Sequence, residues 1–228
     1  MLRPKLHGRR KGRPLRTGLQ RLMTEVLPQL AVTLPESGSL DLQTQFGSAN
    51  GGVWLEIGFG GGEHLAWQAR ENPDIGIIGC EVFENGVASL LRAVERDALE
   101  NVRIAMADAR LLLERLPAGS LARAFLLFPD PWPKRRHASR RFLQRETLDL
   151  LAQAMRDGAE LRAASDDPKM QAWMLKQLLE SPDFIWTARA AADAFGRPDD
   201  WPGTRYEAKA VAAGRRPIYL KFRRRPRV

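Results

Sequence analysis

The sequence predicts an α/β fold with a Rossmann-like, seven-stranded and mostly parallel sheet. From Val53 onward, short continuous apolar runs alternate with segments whose apolar residues recur at helical spacing. The first run, Val53–Ile57, ends in a glycine-rich turn, as a strand that leads into a helix often does. Strands and helices of these lengths in alternation are typical of βαβ units, and such sheets bind ligands at the carboxyl ends of their strands.

The elements follow from local patterns in chain order. The helix after the first strand has to stop before Pro73, and a later helix is marked by Asp167 as N-cap with Pro168 at its first position. Gly214 caps the last helix. The predicted strands are residues 53–57, 75–82, 102–107, 122–128, 159–164, 184–187 and 218–222, and the predicted helices are 63–70, 84–100, 110–116, 141–156, 168–180 and 206–213.

The composition fits one α/β domain. The 228 residues are 44% hydrophobic, and the single cysteine, Cys80, excludes an internal disulfide and indicates a reducing cytoplasm. No apolar run approaches the roughly 18 residues that a membrane-spanning helix needs. The N-terminus has no apolar core of a secretory signal, although an organelle transit peptide stays open. We therefore expect a flexible basic arm over residues 1–24 and a single domain over 25–228 with a basic C-terminal tail.

The charge is segregated along the chain. Residues 1–21 contain eight Lys or Arg and residues 215–228 contain seven, and neither segment contains an acid. A third basic cluster lies between residues 134 and 145, whereas the rest of the chain has more acids than bases. Basic termini can simply aid solubility, but three clusters together favour a polyanionic partner such as a nucleic acid.

The turn after the first strand is the first candidate ligand site. Gly58, Gly60, Gly61 and Gly62 allow close backbone approach, but their spacing is not the G-x-G-x-x-G that cradles a pyrophosphate. Glu56 is an acid inside the apolar strand that precedes them. A buried carboxylate needs a partner, so Glu56 either receives the amino-acid end of a cofactor or is a structural acid bonded to backbone amides.

Two further acids follow the next two strands. Glu81 ends the second strand and is expected to accept from both ribose hydroxyls of an adenosine, the alternative being an ordinary solvated glutamate. Asp108 ends the third strand and either accepts from an adenine amino group or caps the following helix. Three acids after three successive strands, with this turn, favour a class I S-adenosylmethionine-dependent methyltransferase over a dehydrogenase.

The fourth strand leads into Phe128-Pro129-Asp130-Pro131-Trp132-Pro133-Lys134. Three prolines restrict φ around Asp130, so the loop holds this carboxylate in place for a ligand. Trp132 either stacks on that ligand or packs in the wall of its pocket. Three cations directly follow the last proline.

These segments resemble the bacterial-type tRNA (guanine-N7-)-methyltransferases over about residues 50–223. The motifs that carry the resemblance are Glu56-Ile57-Gly58-Phe59-Gly60, Gly79-Cys80-Glu81-Val82, Phe128 through His137, Ser165-Asp166, and Thr204-Arg205-Tyr206-Glu207-x-Lys209. Two departures are Ser165, where the family usually has threonine, and Ala138-Ser139, where it usually has Asn-Lys.

The resemblance implies a cytoplasmic enzyme that transfers a methyl group from S-adenosylmethionine to N7 of a guanine in the tRNA variable loop. Asp130 would be the catalytic residue. The implied cofactor residues are Glu56, Gly58, Gly60, Glu81, Asp108 and Asp130; the implied substrate residues are Lys134, Asp166, Thr204, Arg205, Tyr206 and Glu207; and the implied RNA contacts are Arg136, His137, Arg140 and Arg141.

The remaining residues predict no further chemistry. The histidines His7, His64 and His137 are scattered without metal-ligand spacing, so we expect no metal, and we expect no membrane association and no obligate protein partner. His64, at the start of a helix, is expected at the surface or beside the cofactor. Cys80 is expected to be a buried strand residue.

Overall fold

A computed structural model describes residues 8–47 and 51–227. The chain divides into two compact units, Met1–Pro117 and Ala118–Val228. Together they contain the seven predicted strands. Residues 1–7, which belong to the predicted arm and include His7, lie outside the described residues.

The unit Met1–Pro117 contains three parallel strands in the order β3-β2-β1. β1 is buried along its whole length, including Glu56, as is β2. Burial of β1 was predicted from its continuous apolar run. Their bounds are Val53–Ile57 for β1, Gly76–Cys80 for β2 and Val102–Ala105 for β3; the helices that follow them are α4 (Glu63–Glu71), α5 (Glu84–Asp97) and α6 (Ala109–Leu113).

Helices precede β1 where the sequence predicted an arm and no secondary structure. A continuous helical run comprises α1 (Thr17–Arg21), a π-helical turn (Leu22–Val26) and α2 (Leu27–Leu30), and α3 (Leu42–Phe46) follows. Arg21 forms ion pairs with Glu25 and, at 2.5 Å, with Glu95 of α5. The pairs are exposed, whereas Leu22 of this run is only 3% exposed, so burial accompanies the helical run more than these ion pairs do. The flexibility of the arm as a whole stays a prediction.

The part of the arm before α1 also has partners. Asn85, in the first turn of α5, accepts from the backbone amide of Gly12 at 2.7 Å and donates to the carbonyl of Arg13 at 2.8 Å. The carbonyl of Arg10 accepts from the amide of Glu84 at 2.9 Å. Residues 10–13 therefore run along the loop that follows β2.

The unit Ala118–Val228 contains four strands in the order β4-β5-β7-β6. β4 (Leu121–Leu127) and β5 (Met155–Ser165) are parallel, whereas β7 (Ile218–Arg224) pairs antiparallel with β5 and with β6 (Phe184–Trp186). The helices are α7 (Arg145–Ala154), α8 (Pro168–Glu180) and α9 (Arg205–Ala212), with 3-10 turns at Arg135–Arg140 and Ala191–Phe195. The side chains of Phe125, Phe184 and Phe222 are among the largest that are fully buried.

The largest errors in the predicted boundaries of this unit lie at the starts of α7 and β5. Helix α7 begins at Arg145 instead of residue 141, and its N-cap, Gln144, donates its backbone amide to the hydroxyl of Thr147 at 3.0 Å. Strand β5 begins at Met155 instead of residue 159, directly where α7 ends.

Candidate functional site

The glycine turn after β1 has the open backbone that its sequence predicted. Gly58, Gly60 and Gly62 all have positive φ, and the amide of Gly58 donates to the carbonyl of Cys80 at 2.7 Å. A Cβ on Gly86 of α5 would lie 2.2 Å from the carbonyl oxygen of Gly60. Gly86, which the sequence analysis missed, therefore lets α5 pack directly under the turn.

Glu56 has a side-chain partner that neither sequence hypothesis included. Its carboxylate lies 2.7 Å from Nδ1 of His64, and both side chains are only 2–3% exposed. Gln68 donates through Nε2 to Nε2 of His64 at 3.2 Å, and its own oxygen accepts from Asn72. Since Nε2 of His64 accepts, the ring proton lies on Nδ1 and points to Glu56. Of the two positions expected for His64, the surface is wrong and the position beside a cofactor stays a prediction; in the structure this ring orients the buried carboxylate.

Glu81 is not an ordinary solvated glutamate, because its carboxylate is held by backbone amides. Oε2 accepts from Gly60 at 2.9 Å, and Oε1 accepts from Val82 at 2.6 Å and Phe83 at 3.0 Å. A carboxylate has about four acceptor positions. One position therefore remains on Oε2, so two ribose hydroxyls would have to share it or displace an amide.

Asp108 has the geometry of its structural alternative. It is the N-cap of α6, accepts from the amide of Arg110 at 2.9 Å and also binds the Arg110 guanidinium through both oxygens, at 2.9 and 2.6 Å. The role at an adenine amino group stays a prediction. Nearby, Cys80 is buried as expected; burial raises the pKa of its thiol, which donates to the carbonyl of Ala107 at 3.3 Å.

In the unit Ala118–Val228, the Asp130 loop is stiff for a reason beyond its prolines. Phe128 and Trp132, on either side of Asp130, have φ values of 49° and 43°, a region that costs a non-glycine residue about 1–3 kcal/mol. The amide of Phe128 donates to Ala164 of β5 at 2.8 Å, and its ring packs on the cluster of Ala164, Trp201 and Tyr219. Asp130 itself is exposed. The loop thus presents a carboxylate on a strained, well-anchored backbone.

The cations after this loop do not share one environment. Lys134 and Arg136 are exposed, whereas Arg141 is buried. The guanidinium of Arg140 lies 4.9 Å from the ring centroid of Trp132, and His137 contacts the same ring edge-on at 5.8 Å. Three of the implied RNA residues therefore sit on or near the outer surface of the loop, and Arg141 lies inside it.

Asp166 follows β5 and is paired. Its Oδ2 lies 3.0 Å from Nε of Arg215. Before it, Ser165 is 1% exposed, and its hydroxyl accepts from the amide of Asp167 at 3.2 Å. Asp167 caps α8 as predicted, by accepting from the amide of Met170. The departure from threonine at Ser165 thus leaves the hydroxyl in a structural hydrogen bond.

The Thr204-Arg205-Tyr206-Glu207 segment lies at the start of α9, with its outer two side chains buried and its middle two exposed. Thr204 is the N-cap and accepts from the amide of Glu207 at 3.2 Å, and both side chains are buried. Arg205 and Tyr206 are exposed, the latter at 51%. The spacing of three residues therefore places the two polar ends of the segment inward.

Glu207 is held by residues that the sequence analysis missed. Its Oε1 accepts from the hydroxyl of Tyr219 at 2.5 Å and lies 3.4 Å from Nη1 of Arg197, while its buried Oε2 has no hydrogen-bond partner among the described residues. Burial and the Glu207 carboxylate raise the pKa of Tyr219, so the hydroxyl stays a donor. Tyr219 lies in β7, 12 residues from Glu207, and no sequence pattern signals the pair.

Two other kinds of site are absent from the described part of the chain. No helix there is long and apolar enough to cross a membrane. No group of three or more His, Cys, Asp and Glu within residues 8–47 and 51–227 is placed to hold a metal ion.

Known proteins resemble this chain along its whole length. Residues 50–220 match a family model described as "Putative methyltransferase". The tRNA (guanine-N(7)-)-methyltransferase of Paramagnetospirillum magneticum is 52% identical over 99% of this chain and 94% of that protein. The chain belongs to the tRNA (guanine-N7-)-methyltransferase family. The relative of the same name from Rhodospirillum rubrum is 50% identical over 98% of this chain and 89% of that protein.

Solved structures confirm the predicted fold of this family member. The 16S rRNA methyltransferase KamB has a TM-score of 0.53 at 18% identity, covering 81% of this chain and 91% of that one. An rRNA methylase from Streptococcus thermophilus has a TM-score of 0.52 at 13% identity, covering 76% and 87%. At these identities the likeness concerns the fold alone, which is the α/β fold of the class I S-adenosylmethionine-dependent methyltransferases.

Proposed function

We propose that this protein transfers the methyl group of S-adenosylmethionine to N7 of a guanine in the variable loop of tRNA. The observation that carries the proposal is the identity of 50–52% to two tRNA (guanine-N(7)-)-methyltransferases over nearly the full chain. The environments of the predicted site residues support it from both units.

The cofactor would be held by the unit Met1–Pro117. S-adenosylmethionine supplies an electrophilic methyl group on a sulfonium and contains no phosphate, which agrees with a turn that lacks the pyrophosphate spacing. A Cβ on Gly58 would meet no atom within 4 Å, so this backbone borders open space. Glu81 keeps one acceptor position for the ribose. Glu56 would serve the amino-acid end and Asp108 the adenine, with Gly60 in the turn that Glu81 fixes.

Methyl transfer to guanine N7 does not require the residues that bind the guanine to remove a proton. Guanine N7 carries a free lone pair at neutral pH, so no base has to act before attack. Positive charge develops on the guanine as the methyl group moves, and a preorganised carboxylate stabilises it. We assign this role to Asp130, which would accept from the N1–H and amino group of the guanine.

The other proposed substrate residues differ in the partners and the exposure of their side chains. Glu207 has a buried oxygen without a hydrogen-bond partner, which supports a role in accepting from the guanine edge. Asp166 already binds Arg215, so it would have to share its carboxylate. Thr204 would act through the start of α9, whereas Arg205 and Tyr206 are exposed enough to reach the nucleotide outside the base.

The RNA backbone would be bound by the basic residues that follow the Asp130 loop. Lys134, Arg136 and Arg140, together with His137, follow this loop in the chain, and phosphate contacts of this kind offset the cost, about a few kcal/mol, of taking a base out of its stack. We propose that the basic arm of residues 1–24 adds to this binding. Cytoplasmic location, and a reaction without metal or obligate protein partner, belong to the same proposal.

The experiment is methyl transfer to unmodified tRNA. Purified protein is incubated with radiolabelled S-adenosylmethionine and an in vitro transcript, and N7-methylguanine is mapped by borohydride reduction and aniline cleavage. We expect one cleavage site in the variable loop. Label that enters the RNA without aniline-sensitive cleavage, or that enters only proteins or small molecules, would contradict the proposal.

A further inference from the structure

One arginine of the basic cluster is turned away from solvent. Arg141 is 8% exposed, although it follows Arg140 directly and ends a 3-10 turn whose first two residues, Arg135 and Arg136, are exposed. A residue that serves phosphate keeps its guanidinium in solvent until RNA arrives. Arg141 instead has protein partners on two sides.

The first set of partners is the backbone of the Asp130 loop. Nε of Arg141 donates to the carbonyl of Pro131 at 3.2 Å, and Nη2 donates to the carbonyl of Trp132 at 3.1 Å. These are the two residues that follow Asp130. Two parallel donors from one rigid guanidinium fix the orientation of that peptide segment as well as its position.

The second partner is an aromatic ring that is itself fixed. The guanidinium lies 4.7 Å from the ring centroid of Trp173 in α8. The indole N–H of Trp173 donates to the carbonyl of Leu143 at 2.7 Å. Arg141 is thus clamped between an anchored indole and the loop, and it transmits the rigidity of α8 to Pro131 and Trp132.

The loop needs such an anchor because its conformation is strained. Trp132 has positive φ, and such a conformation persists only where its surroundings enforce it. On the other side of Asp130, Phe128 is fixed by its hydrogen bond to Ala164 and by ring packing. Arg141 supplies the corresponding anchor after Asp130.

We propose that Arg141 is a positioning residue that holds the Asp130 carboxylate in its reactive orientation, and that it does not bind tRNA phosphate. This inference rests on the proposed function, because it concerns how the Asp130 loop serves methyl transfer. It replaces the RNA contact that the family resemblance implied for Arg141, and it leaves the exposed Lys134 and Arg136 and the half-buried Arg140 as the phosphate ligands.

The decisive variant is Arg141→Lys, which keeps the charge. A lysine satisfies a phosphate but cannot reproduce the forked pair of donors to Pro131 and Trp132. We expect the dissociation constant for tRNA to stay within about twofold, while the methyl-transfer rate at saturating tRNA and cofactor falls by about tenfold to a hundredfold. Equal turnover of Arg141→Lys and wild type would overturn the proposal.

Arg141→Ala adds a readout that general destabilisation would not produce. We expect the rate lost in this variant to be partly restored by millimolar guanidinium chloride, below denaturing concentrations, and to be unaffected by equal sodium chloride. Arg156→Ala changes an exposed arginine of β5 and is the matched control. Its methyl-transfer rate should equal that of wild type and should not rise when guanidinium chloride is added. Weaker tRNA binding with an undiminished rate at saturation would make Arg141 an RNA contact.

If Arg141→Ala does not fold, Trp173 decides the question. Trp173→Phe keeps a ring under the guanidinium and should keep most of the methyl-transfer rate. Trp173→Leu should lower the rate with unchanged tRNA affinity. Equal rates of the two Trp173 variants would contradict the proposal. Failure of the proposed function is separately visible, because wild-type protein would then leave no N7-methylguanine in tRNA.

Discussion

Replacing Glu81 by glutamine tests the backbone-anchored carboxylate beside the glycine turn. Glu81→Gln keeps an oxygen for Val82 and Phe83 but turns an NH₂ group toward the amide of Gly60, which donates at 2.9 Å in the structure. One hydrogen bond to a charged acceptor is lost, at about 1.5–3 kcal/mol, and the remaining two become weaker neutral bonds. We therefore expect the free energy of unfolding to fall by about 2–4 kcal/mol.

The assay pairs thermal unfolding with cofactor titration. For a chain of about this size, each kcal/mol shifts Tm by roughly 2–4 °C, so the expected fall is roughly 4–16 °C. Calorimetric affinity for S-adenosylmethionine should fall by at least about tenfold, the equivalent of about 1.4 kcal/mol, because the ribose acceptor is altered as well.

The control is the same substitution three residues later. Glu84 forms an ion pair with Lys11 at 3.3 Å, and the lysine side chain is 78% exposed, so Glu84→Gln should cost at most about 1 kcal/mol. If Glu81→Gln destabilises the protein no more than Glu84→Gln and binds cofactor normally, the reasoning about Glu81 is wrong.

Three further changes test other parts of the site. Asp130→Asn should lower the methyl-transfer rate by about a hundredfold with tRNA affinity within about twofold, and near-normal turnover would remove Asp130 from the chemistry. Deleting residues 1–16, which leaves the Arg21–Glu95 ion pair, should weaken tRNA binding and flatten its salt dependence by roughly 0.7–0.9 per lost phosphate contact; an unchanged slope would make the arm irrelevant. Tyr219→Phe removes the donor to Glu207 and should raise KM for tRNA severalfold in steady-state assays. An unchanged KM would refute the role of this pair.

The strand-end acids could be predicted because short-range pattern determines them. A buried run that stops at Glu81 or just before Asp108 places the acid at the carboxyl end of a strand, whatever the rest of the molecule does. The N-cap roles of Asp167 and Thr204 are equally local, although only the first was predicted. The strands, and the helices from α4 to α9, were found for the same reason, with errors of a few residues at their ends.

Partners across the fold could not be predicted from pattern. His64 lies eight residues from Glu56, beyond the reach of helical or strand periodicity, and only the reversal of the chain at the glycine turn brings them together. The pairing of Glu207 with Tyr219 depends on where β7 lies. Neither pair is signalled by composition or spacing.

The orientation of side chains and the strain of the backbone could not be predicted from the sequence either. Arg141 stands in a run of cations, and nothing in that run distinguishes a buried guanidinium from solvated ones. Positive φ is uncommon for residues other than glycine, so the prolines predicted a stiff loop but not the conformations of Phe128 and Trp132. The helix α1 was missed because its basic, weakly amphipathic segment depends on α5 for its contacts.

The most direct test of the proposed reaction changes one atom of the substrate. A tRNA assembled with 7-deazaguanine at the mapped position has carbon in place of N7 and keeps the Watson–Crick edge and the phosphates. We predict that this tRNA binds with the affinity of the unmodified tRNA and accepts no methyl group from S-adenosylmethionine. Methylation of the 7-deazaguanine tRNA at the rate of the normal transcript would contradict transfer to guanine N7.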